Sequence, residues 1–455
     1  MPETSTPLPP RLVHGTAWIA QLTLVGLLVG LACWPLNLID HWQDLLLQRL
    51  PLFSGTSWGA QQLLLACCPL VAMPLLLVLQ ASHWRQGAGS GIPQTMVSLE
   101  QPEQAPRLMA PRVVLQRMVL WTIASLSLLP LGREGPVVQV GAAVAYRLRQ
   151  RWPRLLENLQ HNDLMAVAAG AGLAGGFNTP LMGVVFVAEE LTRRFTARLI
   201  WPGLVVCVIA AEVSNLGGQP LFGLGVVADQ LLESSQLLWG ALLGVIGGLA
   251  GGLFAWLLLR STRWLMPRVR QQPWRWGVLL GALLTLMALL SGGASGGDGE
   301  ALMGWLLSNP GEHQASVWTA IARVIGPCLT LAAGIPGGLI DPAFAIGASL
   351  GDLVGQLNNQ AHFGVTFGMA AGLAGATQLP AMSLVFAIRM AGDQQLLPGV
   401  VMASVIGAYM GRLWMHTPVY HALTDLMQGR ERLPSLIATA RSGSAPRPWT
   451  SRSLN

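Results

Sequence analysis

The 455-residue chain contains no lysine, so all 27 of its basic residues are arginines. That absence removes the phosphate-binding lysine of a P-loop ATPase and the Schiff-base lysine of retinal or pyridoxal phosphate chemistry. Transport by such a chain has to draw on an ion gradient. Charge is scarce as well, at 11% of residues, against about 25% in an ordinary soluble domain. The five cysteines (Cys33, Cys67, Cys68, Cys207 and Cys328) all fall in apolar segments. They read as small core residues rather than a disulfide framework or a metal site. The start, MPETSTPLPPRLVHG, has no basic cluster and no small-residue cleavage site. It reads as a short cytoplasmic tail, not a signal peptide. No nucleophile–base constellation or metal-ligand spacing appears, so neither an enzyme nor a cofactor is expected, and no nucleic-acid partner.

What is abundant is apolar sequence, 52% of the chain. Apolar runs cover 17–36, 58–80, 118–131, 199–211, 236–259, 276–291, 365–388 and 396–410. A spanning helix needs about 20 such residues, so the chain reads as an all-α, polytopic protein embedded in membrane lipid. The net charge of +6 is concentrated in three arginine clusters, 147–154, 193–198 and 260–275. The positive-inside rule places these as cytoplasmic loops. The first two bracket residues 163–190, too long for one helix and too short for two full spans. A hairpin of two broken helices turning at Asn178-Thr179-Pro180 satisfies both limits.

The chain resembles itself. AGLAGGFNTPLMGVVFVAEE (171–190) aligns with AGLAGATQLPAMSLVFAIRM (371–390), and GREGPVVQVGA (132–142) with GLIDPAFAIGA (338–348). The same order at similar spacing predicts an internal duplication, with a site where the halves meet. Small residues that let helices pack closely in lipid supply part of the likeness. The expected organisation is a tail over 1–16, a transport domain over 17–427 and a tail over 428–455. The repeats run roughly 17–216 and 236–427.

Three segments join glycines to a proline at an expected helix start: GSGIPQ (89–94), GREGP (132–136) and GIPGGLIDP (334–342). A helix N-terminus presents free N–H groups and about half a positive charge, and so suits an anion. Alone, each could be a kinked membrane helix; together they predict an anion site, for a halide, sulfate, phosphate or carboxylate. Glu134, within GREGP, is pulled two ways, because the helix dipole favours the carboxylate and burial the neutral acid. It suits a group that changes charge during a cycle, or else it caps its own helix or pairs with Arg133. Glu189 and Glu190 end an apolar helix beside Arg193 and Arg194 and could be interfacial ion pairs.

The motifs GSGIP, GREGP, GLIDP and AEEL, with the tyrosine of TPVY (417–420), resemble the CLC family of chloride channels and proton-coupled chloride antiporters over about residues 85 to 425. The resemblance implies a fold of two inverted halves with many tilted and re-entrant helices, and a homodimer with one pore per subunit. It implies bound chloride held by the Ser90 hydroxyl, the Tyr420 phenol and backbone at Gly91, Ile92, Gly135, Pro136, Leu339 and Ile340. Glu134 would be the gating glutamate and Glu190 the internal proton-transfer glutamate, so exchange of chloride for protons is expected. A multi-pass protein of a bacterial inner membrane with both termini cytoplasmic would follow, without paired regulatory nucleotide-binding domains after Tyr420. A passive chloride channel, a fluoride or nitrate exchanger, and an anion-binding membrane receptor subunit are the alternatives. Ser90 favours chloride over fluoride. Ile340 stands where relatives carry Phe, Gln94 where many carry an acid, and Asp341 where a small residue is usual. A carboxylate at 341 would repel an anion unless it points away, pairs with an arginine or is protonated.

Overall fold

The computed structural model describes residues 10–216, 235–309, 317–357 and 361–430. These residues are helical almost throughout, and the one β-type pairing among them is an isolated bridge between Gly132 and Gly338. Among the described residues, five helices are long and apolar enough to cross a membrane: Ala17–Leu47, Ala60–Ala81, Ala197–Ser214, Gln236–Gln271 and Pro273–Leu290. Their outward faces carry bare apolar side chains such as Leu64, Val71 and Leu238, as lipid contact requires. The apolar run 365–388 is broken into Ala361–Thr377 and Pro380–Ala391, because the proline can open a helix but not continue one.

Two features differ from the reading of the sequence. The first helix begins at Pro10, inside the expected tail, since proline at the first helical position is pre-organised for the turn. Residues 1–9 and 431–455 of the two expected tails, and 217–234 between the expected repeats, lie outside the described residues. The third arginine cluster is largely helix rather than loop, because the helix Gln236–Gln271 runs through Arg260, Arg263, Arg268 and Arg270. Arg260 and Arg268 sit over Trp256 and Trp264, at 5.5 and 4.1 Å from the ring centroids. Each tryptophan precedes its arginine by four residues, the spacing that stacks helix side chains on one face.

The duplicated segments fold alike. In the first, Glu134–Arg151, His161–Phe177 and Pro180–Phe186 follow one another; in the second, Ile340–Gln356, Ala361–Thr377 and Pro380–Ala391. Asn178 and Gln378, at matching places before the two prolines, both have positive φ (47° and 61°). Leu128 and Gly334, at matching places before the two Gly-x-x-x-Pro motifs, do too (57° and 87°). The helix pairs cross on matching glycines. A Cβ at Gly141 would run into the Ala168 carbonyl, and one at Gly347 into the Gly368 carbonyl. Backbone therefore lies on backbone in both crossings, the packing that small residues permit in lipid. His161–Phe177 is buried on nearly every side, as an all-round apolar helix should be.

Gly368→Val is expected to force the Ile340–Gln356 crossing apart and to destabilise the protein by about 3 kcal/mol, the upper end for overpacking. Gly203→Ala, whose methyl would meet Val184 at 3.6 Å, should leave the midpoint nearly unchanged. Thermal unfolding in detergent compares the two.

Candidate functional site

Gly132 and Gly338 exchange backbone hydrogen bonds, Gly132 N to Gly338 O at 3.1 Å and Gly338 N to Gly132 O at 2.8 Å. This bridge brings the start of Glu134–Arg151 against the start of Ile340–Gln356. The Glu134 carboxylate lies in the slot between them. Its Oε1 accepts from the Asp341 backbone N–H at 2.6 Å, while Oε2 has no partner among the described residues. A side chain at Gly132 or Gly338 would overlap that carboxylate, so the slot exists because both positions lack one. Glu134 therefore occupies an anion position at the N-terminus of the opposing helix rather than forming an ion pair with Arg133. Arg133 is turned elsewhere, bonded to Asp40 and, at 2.9 Å, to Glu300, with Phe177 under its guanidinium at 4.7 Å.

The loop carrying Ser90 is fastened by Arg117, a buried residue of the helix Pro111–Leu126. Its guanidinium donates to the carbonyls of Ala88 (2.9 Å), Gly89 (3.1 Å) and Gln86 (3.4 Å), and also bonds Gln139. Gly91 packs on the Gly135 backbone too closely for a Cβ, which joins GSGIP to GREGP. The Ser90 Oγ and the Tyr420 hydroxyl are buried and have no hydrogen-bond partner among the described residues. Two buried donors without partners are costly unless a ligand satisfies them, and they suit the anion expected there.

Two of the backbone assignments are corrected. The Gly91 N–H donates to the Gln94 side chain at 2.8 Å, so Gln94 caps its own helix and removes that amide from anion contact. Pro136 has no N–H, so it supplies only the fixed turn at the helix start. Ile340 is fully buried and Leu339 nearly so, at the first turn and the N-cap of their helix. Asp341 meets the Glu134 carboxylate through its backbone N–H. Its carboxylate is buried, with neither oxygen hydrogen-bonded among the described residues, and the nearby Arg133 is committed to Asp40 and Glu300.

On the other side of Tyr420 lies the Val187–Leu191 segment, one turn of π-helix closed by Thr192 N to Val187 O at 2.9 Å. Such turns recur at functional positions. It directs its two acids differently. Glu189 accepts from the backbone N–H of Ala381 (3.1 Å) and Met382 (2.8 Å), capping the repeat-partner helix Pro380–Ala391. Glu190 is buried and its Oε1 lies 3.1 Å from His421 Nδ1. Arg194 pairs with Asp163 at 2.6 Å, so the expected interfacial pairing of these glutamates with that arginine is replaced. Tyr420 lies within electrostatic reach of Glu134, Glu190 and Asp341.

A cavity of about 1160 Å³ opens toward Ser90 and Leu339. Arg85, Arg107, Arg112, Arg263 and Arg270 line it, a funnel of one sign that concentrates anions at its floor. Pattern reading missed Arg117, Arg85 and Arg107 because they reach the site from separate segments and carry no shared motif.

Helix ends, an electropositive funnel and buried carboxylates in one helical membrane domain define a membrane transporter of anions. Residues 70–412 match the family described as voltage gated chloride channel, and the chain belongs to that family, the CLC proteins. It is 30% identical over 410 residues to the H(+)/Cl(-) exchange transporter ClcA of Yersinia pestis bv. Antiqua, covering 81% of this chain and 82% of that one. It is 28% identical over 303 residues to the voltage-gated ClC-type chloride channel ClcB of Salmonella typhimurium, covering 64% and 70%. The fold is shared with a slow cyanobacterial Cl-/H+ antiporter (TM-score 0.74, 22% identity, covering 93% of this chain and 100% of that one). It is also shared with a CLC-type fluoride/proton antiporter (TM-score 0.72, 24% identity, covering 92% and 99%).

Glu134→Ala removes the carboxylate from the slot while leaving both flanking glycines and the Asp341 N–H in place. Isothermal titration of the detergent-solubilised variant is expected to show chloride bound about tenfold more tightly, or about 1.4 kcal/mol, since its competitor has left the Asp341 N–H. Unchanged affinity would mean that the carboxylate does not compete for that position.

Proposed function

We propose that this chain exchanges chloride for protons across the membrane, with Glu134 as gate and outer proton carrier and Glu190 as inner proton relay. The observation that carries this reading is the Glu134 carboxylate seated on the Asp341 N–H at a helix N-terminus. A carboxylate and a chloride are alternative ligands for such a site. Ionised, Glu134 holds the position through a charge-assisted hydrogen bond; protonated, it keeps only a weaker neutral contact. A proton on Glu134 therefore exchanges one anion for another, which links the two movements at a single atom. Chloride in the funnel would meet the Ser90 hydroxyl first and the Tyr420 phenol beyond, with the backbone at Ile92, Gly135, Leu339 and Ile340 around them.

Glu190 supports exchange over passive conduction. A buried acid is costly to hold in a membrane protein and marks a proton or ion route, and its neighbour Glu189 already performs the helix capping that a structural acid would serve. The reading extends to a homodimer with one pore per subunit, in a bacterial inner membrane with both termini cytoplasmic. The similarity to ClcA and the arginine-rich loop and helix ends support that placement.

Liposomes containing the purified protein and a chloride gradient test the exchange. The wild-type protein is expected to move protons against their own gradient. Glu190→Gln should lower proton movement by about a hundredfold or more while chloride still moves; Glu134→Gln should pass chloride without proton coupling. Chloride flux in the wild type with no proton movement would sink the antiport reading in favour of a channel. No flux of either kind would favour the receptor.

A further inference from the structure

We propose that His421 is a proton-relay residue that passes protons between the cytoplasmic solution and Glu190, and this rests on the exchange reading above. His421 Nδ1 lies in direct contact with Glu190 Oε1, at 3.1 Å, and joins a side chain that is 21% exposed to one that is 1% exposed. Glu190 itself is sealed from water, so a proton reaching it needs a group with one end on the carboxylate and another toward the outside. Histidine is the side chain suited to this, having two ring nitrogens and a charge that changes near neutral pH.

The surrounding bonds leave Glu190 to this partner. Glu189 is taken by the Ala381 and Met382 amides and Arg194 by Asp163. His421 follows Tyr420 directly on the helix Val419–Met427. Leu423, Leu426 and Met427 of that helix line the arginine funnel. At about 100° per residue, His421 lies about 120° or more around the helix from each of them. The ring is thus on the flank away from the arginines, whose field repels protons. Among the charged groups at hand, Glu190 contacts the ring, Glu189 precedes Glu190 in the chain but is bonded to Ala381 and Met382, and Asp425 is one turn along the same helix.

The transfer balances without a further reagent. Water delivers a proton to Nε2 of the neutral ring while the Nδ1 proton passes to a Glu190 oxygen. The carboxylate becomes the acid, and the ring keeps one proton, on Nε2. A swing of the ring out to solvent, where water takes the Nε2 proton and returns one to Nδ1, resets it, and the reverse sequence releases a proton inward.

Reconstituted wild type, Glu190→Gln, His421→Ala and His421→Gln are compared for chloride-driven proton movement, with chloride efflux as the measure of folding. Gln retains an amide that can hold Glu190 in place but cannot carry a proton. The proposal predicts that both His421 variants slow proton movement about a hundredfold while chloride efflux persists. Millimolar imidazole should restore much of the lost proton rate. Wild-type proton movement in His421→Gln, or slowing that imidazole does not relieve, would overturn the relay and leave His421 an orienting group or a bystander. If instead the wild type moves no protons, or Glu190→Gln moves them normally, the exchange reading itself fails.

Discussion

Two helix N-termini face one another across the Gly132–Gly338 bridge, and a single carboxylate lies between them. Each helix end carries about half a positive charge and unsatisfied N–H groups. Brought together away from water, two such ends repel unless something negative separates them. Glu134 supplies that charge through the Asp341 N–H at 2.6 Å. The dependence runs outward from there. Glycine is required on both sides of the carboxylate because a Cβ would occupy its place. The crossing glycines behind each helix then let both N-termini reach the same point. An arrangement that needs an anion for its own electrostatic balance is ready to accept a different one.

The duplication doubled this scaffold but not its acids. Glu134 caps a helix of the second half, and so does Glu189, through Ala381 and Met382. The positions that match them are Ile340 and Arg389, so no acid returns the contact from the second half. The consequence is a fold with near twofold local geometry and one-sided chemistry. Among the described residues, the proposed gate and the proposed inner acid both come from the first half, which would give the site an inside and an outside.

Much of this was legible in the residues. Gly-x-x-x-Pro twice, with the AGLAG segments behind, gives the broken helices and the meeting of their ends. GREGP locates Glu134, and GSGIP and TPVY the two hydroxyls. What could not be read is contact between distant segments that share no pattern. Arg117 holds the Ser90 loop from a helix where it looks like an isolated charge in an apolar run. Gln94 takes the Gly91 N–H, because a side chain three residues into a helix can reach back to the N-cap. Asp341 looked like an obstacle to an anion from its side chain alone, whereas its contribution is a backbone donor. The long helix through the third arginine cluster was hidden by reading basic residues as loop signals when their tryptophan partners stand four residues earlier.

On the proposed relay, the helix Val419–Met427 serves two ions of opposite charge. The arginine funnel that draws chloride inward raises the local potential and so lowers the concentration of protons along the same route. A shared entrance would set the two requirements against each other. This helix turns Leu423, Leu426 and Met427 to the funnel and His421 to Glu190, while Tyr420 is buried within electrostatic reach of both Glu134 and Glu190. On the proposed exchange, the chloride and proton routes part at Tyr420 because the angular spacing of successive helical residues separates their environments. Neither route then has to carry the other's charge past a wall of the wrong sign.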